Sequence, residues 1–150
     1  MTNAPSPSPI KLTDDIREAV NGALSAGNPV IVAYVDENGQ PSLSFRGSAQ
    51  AFSDDQMAIW VRNPEGGLQR ALDKNPRLTL LYRSAQPRMV FNFQGRGHFD
   101  SADGTRTKVY DNSPEPERNA DRERKGLALV IDLDRVTGFG PGGRVLMQRG

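Results

Sequence analysis

The sequence predicts a single mainly β domain of the α+β class, an antiparallel barrel of six or seven strands with a few short flanking helices. Two observations support this. The 150 residues suit one domain. Short apolar runs also follow one another at close spacing with hairpin-type turns, which favours an antiparallel barrel over alternating strands and helices. The domain is expected over residues 12–150. Residues 1–11, rich in proline and serine, predict a disordered arm.

The first half of the chain contains one helix, three strands and a second helix. Thr13 suits the N-cap of a helix over Asp14 to Ala26, which Gly27 ends. The turn Asn38-Gly39 predicts a hairpin between the first two strands. The strands are expected at 29–35, 43–52 and 57–61, and the second, short helix within 63–75.

The second half repeats the strand pattern. Strands are expected at 78–82, 88–99, 127–136 and, as an edge strand, 145–148, with a short helix at 105–111. Gly95 and Gly97 predict a bulge or bend that curls the long strand. The charged segment 112–125 predicts a surface helix or loop, which is either a lid over a site or a solvated helix.

Composition excludes several classes of protein. The chain has no cysteine and only one histidine, His98, so no disulfide, thiolate site or other metal site is expected. It has neither a secretory signal nor an apolar stretch of about 18 residues, which favours a cytoplasmic protein without membrane contact. The net charge of +1 and the core-facing pattern of Phe91 and Phe93 argue against nucleic-acid binding.

Two groups of residues are candidates for a ligand site. Arg46, Ser48 and Gln50 lie two apart on one predicted strand, so they form either a face that binds a phosphorylated ligand or an ordinary solvated face. Gly66-Gly67 opens a helix after a strand, where backbone N–H groups can hold phosphate or simply form a turn.

His98 and Trp60 each have two interpretations. His98 is either a half-exposed strand residue or a functional imidazole. Trp60 either packs near the site or belongs to the core.

The order of these elements resembles a known family. The phrases PVIVAYVDENGQPSLSFRGSAQAF, QMAIWVRNPEGGLQRALDKNP, RLTLLYR and VFNFQGRGHF occur in the order found in the pyridoxamine 5′-phosphate oxidase-like, FMN-binding split-barrel family. The likeness covers residues 12–99, and residues 127–136 look like a later barrel strand. It extends to the family and not to the oxidase itself, because the tail GGRVLMQRG lacks the oxidases' tryptophan and arginine phrase.

The resemblance implies a split barrel that holds FMN at the interface of a homodimer. Arg46 falls where the family places an arginine at the flavin. Gly67 and Leu68 fall where the oxidases have a basic pair for the phosphate, and Arg62 and Arg70 flank the same loop as compensating cations. The resemblance implies the following cofactor-binding residues: Arg46, Gly47, Ser48, Val61, Arg62, Gly66, Gly67, Leu68 and Arg70.

The function expected from this resemblance is FMN binding with flavin-dependent oxidation or reduction of an unknown small molecule. No catalytic residue is predicted, because the flavin supplies the chemistry in such sites. Two alternatives stay open. One is a non-catalytic module that holds a flavin, a deazaflavin or haem, for which His98 is the sole imidazole available as an axial ligand. The other is a barrel without a cofactor.

Overall fold

The computed structural model describes residues 6–150. Within that range the chain forms eight strands and four short helices. In chain order they are α1 (Asp14–Asn21), β1 (Val30–Val35), β2 (Pro41–Arg46), β3 (Gln50–Ser53), β4 (Gln56–Val61), α2 (Gly67–Lys74), β5 (Arg77–Ser84), β6 (Met89–Asp100), α3 (Asp103–Asn112), α4 (Glu115–Asn119), β7 (Leu127–Gly140) and β8 (Gly143–Gln148).

All strands join one antiparallel sheet in the order β2-β1-β5-β6-β7-β4-β3, with β8 also paired to β7. The sheet divides along β7: the part from Leu127 to Asp132 pairs with β4, and the part from Arg135 to Gly140 pairs with β8. The sheet does not close, since β2 and β3 lie at its two ends. The predicted mainly β, antiparallel split-barrel fold with short helices is therefore confirmed.

The strand count differs from the predicted six or seven because the predicted strand 43–52 is two strands. The chain leaves the sheet after Arg46 and returns at Gln50, with a turn hydrogen bond from the Ala49 N–H to the Arg46 carbonyl at 3.2 Å. Polar residues occupy every even position from Ser42 to Gln50, across this break, so the sequence pattern alone looks continuous.

The predicted bend in the long strand is confirmed. The pairing of β6 with β7 shifts register between Gln94 and Gly95. A Cβ on Gly95 would overlap the backbone carbonyl of Asp132 and lie 3.0 Å from Ile131 Cγ2. The absence of a side chain therefore lets β7 cross close to β6 at the bulge.

The barrel core is made of the inward-facing strand residues. Phe91 and Phe93 are fully buried, as their alternation predicts. Helix α1 covers one end of this core with Ile16 and Val20. The largest buried side chains besides these are Leu12, Met57, Ile59, Leu80, Leu129, Ile131 and Leu133.

The predicted end of the first helix is wrong. Helix α1 ends at Asn21 and not at Ala26, and the chain continues in turns to Gly27, whose φ is +79°. The predicted disordered arm begins with residues 1–5, which lie outside the described residues. Among its described residues, Ser8 forms an isolated bridge to β8: its N–H donates to the Leu146 carbonyl at 3.1 Å, and its carbonyl accepts from the Gln148 N–H at 2.8 Å.

Between residues 6 and 150, none of the helices has both the length and the apolar character needed to cross a bilayer.

Candidate functional site

A cleft of about 450 Å³ lies where β2 and β4 end beside the start of α2. It brings together two strand ends, a glycine pair and the α4 segment (residues 115–121), which are far apart in sequence. Eight of the nine predicted cofactor residues line it; Arg70 does not. The lining consists of Tyr34, Phe45, Arg46, Gly47, Ser48, Trp60, Val61, Arg62, Asn63, Gly66, Gly67, Leu68, Gln69, Glu117 and Ala120.

Two arginines supply the positive charge of the cleft. Arg46 ends β2 and its Nε donates to the Ser44 hydroxyl at 3.2 Å, which leaves its other guanidinium N–H groups without a bond to residues 6–150. Arg62 follows β4, and its side chain is 56% exposed. Its only ionic partner within that range is Glu117, with 3.9 Å between Arg62 Nε and Glu117 Oε2. Both cations are therefore available to an anionic ligand group.

The start of α2 adds backbone donors to the same wall. Gly66 is the N-cap in an extended conformation, and no side chain caps this end of the helix. A Cβ on Gly67 would meet only Arg70 Nη2, at 3.7 Å, so the backbone there is open to a ligand. The N–H groups of a first helical turn have no partner within the helix.

Gln69 leaves an acceptor unused beside this helix start. Its Nε2 donates to the Asn63 carbonyl at 2.7 Å. Its Oε1 is buried and has no hydrogen-bond partner among residues 6–150. A buried acceptor of this kind is normally satisfied, so a ligand N–H or O–H would stabilise it.

The sequence predicted that Arg46, Ser48 and Gln50 share one face of a strand. In the structure, Ser48 and Gln50 do not share a strand face with Arg46. Both are buried, each with 2% of its surface exposed. The Ser48 hydroxyl donates to the Trp60 carbonyl at 3.1 Å and accepts from the Trp60 N–H at 2.9 Å. Gln50 Nε2 donates to the carbonyls of Ser48 and Val109. The Ser48 hydroxyl and Gln50 Nε2 therefore tie the start of β3 to β4 and α3, and neither provides a free donor to a ligand.

Arg70 lies outside the cleft lining. Its Nε is 3.2 Å from Glu37 Oε1, and its Nη1 donates to the Glu65 carbonyl at 3.3 Å. Arg70, predicted as the second compensating cation, is thus paired with the β1–β2 hairpin and also bonds to the loop before α2.

The α4 segment borders the cleft, although the sequence left open whether residues 112–125 form a lid over a site or a solvated helix. Helix α4 has no fully buried residue. Glu117 nevertheless points into the cleft, and Ala120 lines it too. Glu117 could not be predicted from the sequence, because nothing in a charged segment distinguishes one acid from the next. Asn63 and Gln69, also missed, flank the glycine pair, and that position was an available signal.

Trp60 anchors the segment that follows α4. Its ring lies 5.3 Å from that of Tyr110, and its Nε1 donates to Asp121 Oδ2 at 2.8 Å. Partial burial acts to raise the pKa of Asp121, but hydrogen bonds from Trp60 and from the N–H groups of Lys125 and Gly126 outweigh it, so this pKa lies below its ordinary value. Trp60 is 3% exposed, so it is mainly a packing residue that also forms part of the cleft wall.

His98 lies elsewhere. It is on β6, outside the cleft lining, with Nδ1 3.4 Å from Asp132 Oδ2 and half of its side chain exposed.

Comparison with known proteins adds evidence about the fold. No protein-family model and no curated protein matches the chain. Solved structures do match it. An FMN-binding protein related to pyridoxamine 5′-phosphate oxidase from Nostoc punctiforme PCC 73102 superimposes with a TM-score of 0.70 at 16% identity, covering 100% of this chain and 94% of that one.

The chain has the fold of the pyridoxamine 5′-phosphate oxidase-related, FMN-binding proteins. An FMN-binding protein from Syntrophomonas wolfei gives a TM-score of 0.61 at 8% identity over 83% of this chain and 86% of that one. HupZ of Group A Streptococcus gives 0.64 at 15% identity over 89% and 98%. These neighbours confirm the resemblance seen in the sequence at the level of fold.

Proposed function

We propose that the protein binds FMN in the cleft formed by the ends of β2 and β4 and the start of α2. The observation that supports this most directly is the convergence of Arg46, Arg62 and the Gly66-Gly67 helix start on one cavity of about 450 Å³. That volume lies within the range of about 300–1,000 Å³ typical of small-molecule sites. Two structural neighbours are described as FMN-binding proteins.

The residues of the cleft fit the chemical groups of FMN. Arg46, Arg62 and the backbone N–H groups at Gly67 and Leu68 would hold the phosphate. The unpartnered Gln69 Oε1 would accept a hydrogen bond from a ribityl hydroxyl or a ring N–H. The buried side chains of Val61 and Leu68 would exclude water from one side of the ligand.

We further propose that the protein is a flavin-dependent oxidoreductase that acts on a small molecule. A bound flavin supplies reversible electron and hydride transfer, and the protein supplies binding, orientation and electrostatics. In this cleft the arginine charges would favour the anionic phosphate, while Phe45 and Tyr34 provide aromatic surface at the rim. Reduction of the bound flavin by NADH or NADPH without oxygen, followed as loss of its visible absorbance, tests this part.

Haem fits the cleft less well than a flavin. The sole histidine, His98, is not part of the cleft lining. A deazaflavin shares the polar requirements of FMN, and parallel titrations with the two compounds separate them.

The apolar outer face beside the cleft supports a homodimer. Leu43 is 73% exposed, Phe45 68% and Leu81 37%. Phe45 pairs across the sheet with Ile31, and Ile31 pairs with Leu81, so an apolar row crosses three strands. Exposed apolar rows of this kind mark interaction surfaces. Phe45 also lines the cleft, which would place the ligand site at the edge of the subunit interface.

The deciding experiment is a titration of the purified protein with FMN, followed by flavin fluorescence and visible absorbance. We expect saturable binding, weakened about tenfold or more by Arg46→Ala or Arg62→Ala, since a charge-assisted phosphate contact contributes about 1.5–3 kcal/mol. Arg144→Ala, an exposed arginine outside the cleft, is the matched control. Failure of the wild type to bind FMN would refute the proposal, and selective binding of a deazaflavin would replace the cofactor.

A further inference from the structure

Glu117 occupies an unusual position for an acid on a surface helix. No residue of α4 is fully buried, yet only 19% of the Glu117 side chain is exposed, because it extends into the cleft. Its carboxylate rests on the backbone of Gly47: a Cβ at that position would overlap Oε1 and lie 3.0 Å from Cδ. The glycine at the end of β2 therefore makes room for this carboxylate.

The Glu117 carboxylate has few protein partners in this position. Its one ionic partner among residues 6–150 is Arg62, with 3.9 Å between Arg62 Nε and Glu117 Oε2, and no side-chain hydrogen bond within that range involves either oxygen. Neither oxygen is fully enclosed by the protein, so water can also satisfy the carboxylate beside Arg62. The contact is therefore weak enough to be exchanged for a better one.

The surroundings of the carboxylate are those of an anion site. Arg46 and Arg62 line the same cleft, and the atoms nearest to a Cβ built on Gly47 belong to Glu117 and Leu24. With Glu117 in place, one of the two cationic charges is offset. With its side chain turned outward, both arginines face the cleft.

We propose that Glu117 is a specificity-determining residue whose carboxylate occupies the position of an anionic ligand group beside Gly47 and Arg62. An anionic ligand then binds by displacing this carboxylate. The identity of the ligand rests on the proposed FMN function, whereas the exchange at Arg62 does not. Because an anion has to displace the Glu117 carboxylate, simple anions bind less tightly. Ligands whose other groups also fit the cleft are therefore favoured.

The exchange needs only a side-chain rotation. The chain after Glu117 is held in place, because the Tyr110 hydroxyl donates to the Arg118 carbonyl at 3.0 Å and Trp60 Nε1 donates to Asp121 at 2.8 Å. The rest of α4 can therefore keep its position while the carboxylate leaves Gly47.

The test compares Glu117→Gln with Glu115→Gln, which removes the same charge from an exposed site on the same helix. FMN and riboflavin, which differ by the phosphate, are titrated into each protein. We expect Glu117→Gln to bind FMN about three- to tenfold more tightly, the size of one partly exposed charge interaction, with riboflavin unchanged and Glu115→Gln like the wild type. Unchanged or weaker FMN binding, or an equal gain for riboflavin, would overturn the proposal.

A second arm works without any flavin. Inorganic phosphate is titrated into the wild type and Glu117→Gln, and the Arg62 Nε–H resonance is followed by NMR. We expect the resonance to respond at a several-fold lower phosphate concentration in Glu117→Gln. Identical responses, or none in either protein, would overturn the proposal. If FMN fails to bind either protein and the phosphate response still differs, the flavin function fails and the anion exchange stands.

Discussion

Trp60 and Asp121, 61 residues apart, are joined by a hydrogen bond of 2.8 Å from the indole Nε1 to the carboxylate Oδ2. Asp121 also accepts the N–H groups of Lys125 and Gly126, at 3.0 and 2.9 Å. One carboxylate thus ties the turn before β7 to strand β4, directly behind the cleft. This contact sets where the α4 segment lies, and therefore where Glu117 reaches.

The lowered pKa of Asp121 predicts a pH-dependent contribution to stability. Because the folded pKa lies below the ordinary value of 3.8, the ionised form stabilises the fold above that value, and the contribution is lost as the pH falls through the folded pKa. We expect Asp121→Asn to lower the urea midpoint at pH 6 and to narrow its difference from wild type toward pH 3. A difference that stays constant over this range would show that Asp121 stabilises independently of its charge.

Ser48→Ala should destabilise the protein although the residue lines the cleft. Loss of the hydroxyl leaves the buried N–H and carbonyl of Trp60 without their partner. We expect a loss of about 2 kcal/mol in the free energy of unfolding, measured in urea. Ser101→Ala, at an exposed position, should change it by less than about 0.5 kcal/mol. A neutral Ser48→Ala would mean that these strands do not need the hydroxyl bridge.

Gly95→Ala and Gly104→Ala should have opposite effects. At Gly95 the new methyl group overlaps the Asp132 carbonyl, so we expect a loss of at least about 2 kcal/mol in stability by chemical denaturation. Gly104 lies in α3, where an added Cβ would meet nothing within 4 Å, so alanine should be neutral or stabilise by up to about 1 kcal/mol. Equal effects at the two sites would contradict the close crossing of β6 and β7.

Leu43→Glu and Leu81→Glu should dissociate the proposed homodimer. Each places a charge on the apolar outer face of β2, β1 and β5, where association would have to bury it. Light scattering after size exclusion should show a dimer for the wild type and for the control Arg122→Glu, and a monomer for the two leucine variants. A monomeric wild type would refute the dimer.

Local patterns in the sequence determined most of the strands. Turn residues such as Asn38-Gly39, apolar alternation at Phe91 and Phe93, and the helical spacing of Leu68, Ala71 and Leu72 act within a few residues, so they can be read along the chain. The order of these elements also indicated the fold that the structural neighbours share.

The tertiary structure decided the remaining features because they depend on contacts between distant segments. In the break after Arg46, the Ser48 hydroxyl bonds to the backbone of Trp60, and no neighbour of Ser48 in sequence signals that bond. The polar groups of Ser48 and Gln50 are consequently internal.

The candidate site also contains both kinds of feature: basic and glycine residues that the sequence predicts, and an acid that only the tertiary structure places there. Arg46, Arg62 and Gly66-Gly67 could be named from sequence because they belong to strand ends and a helix start with a recognisable order. Glu117 could not, because it reaches Gly47 only after the chain has folded back and Asp121 has bonded to Trp60. Sequence alone determined which elements form and which basic groups flank the loop. Packing of the α4 segment against β4 determined which acid faces them, since that depends on contacts more than fifty residues apart.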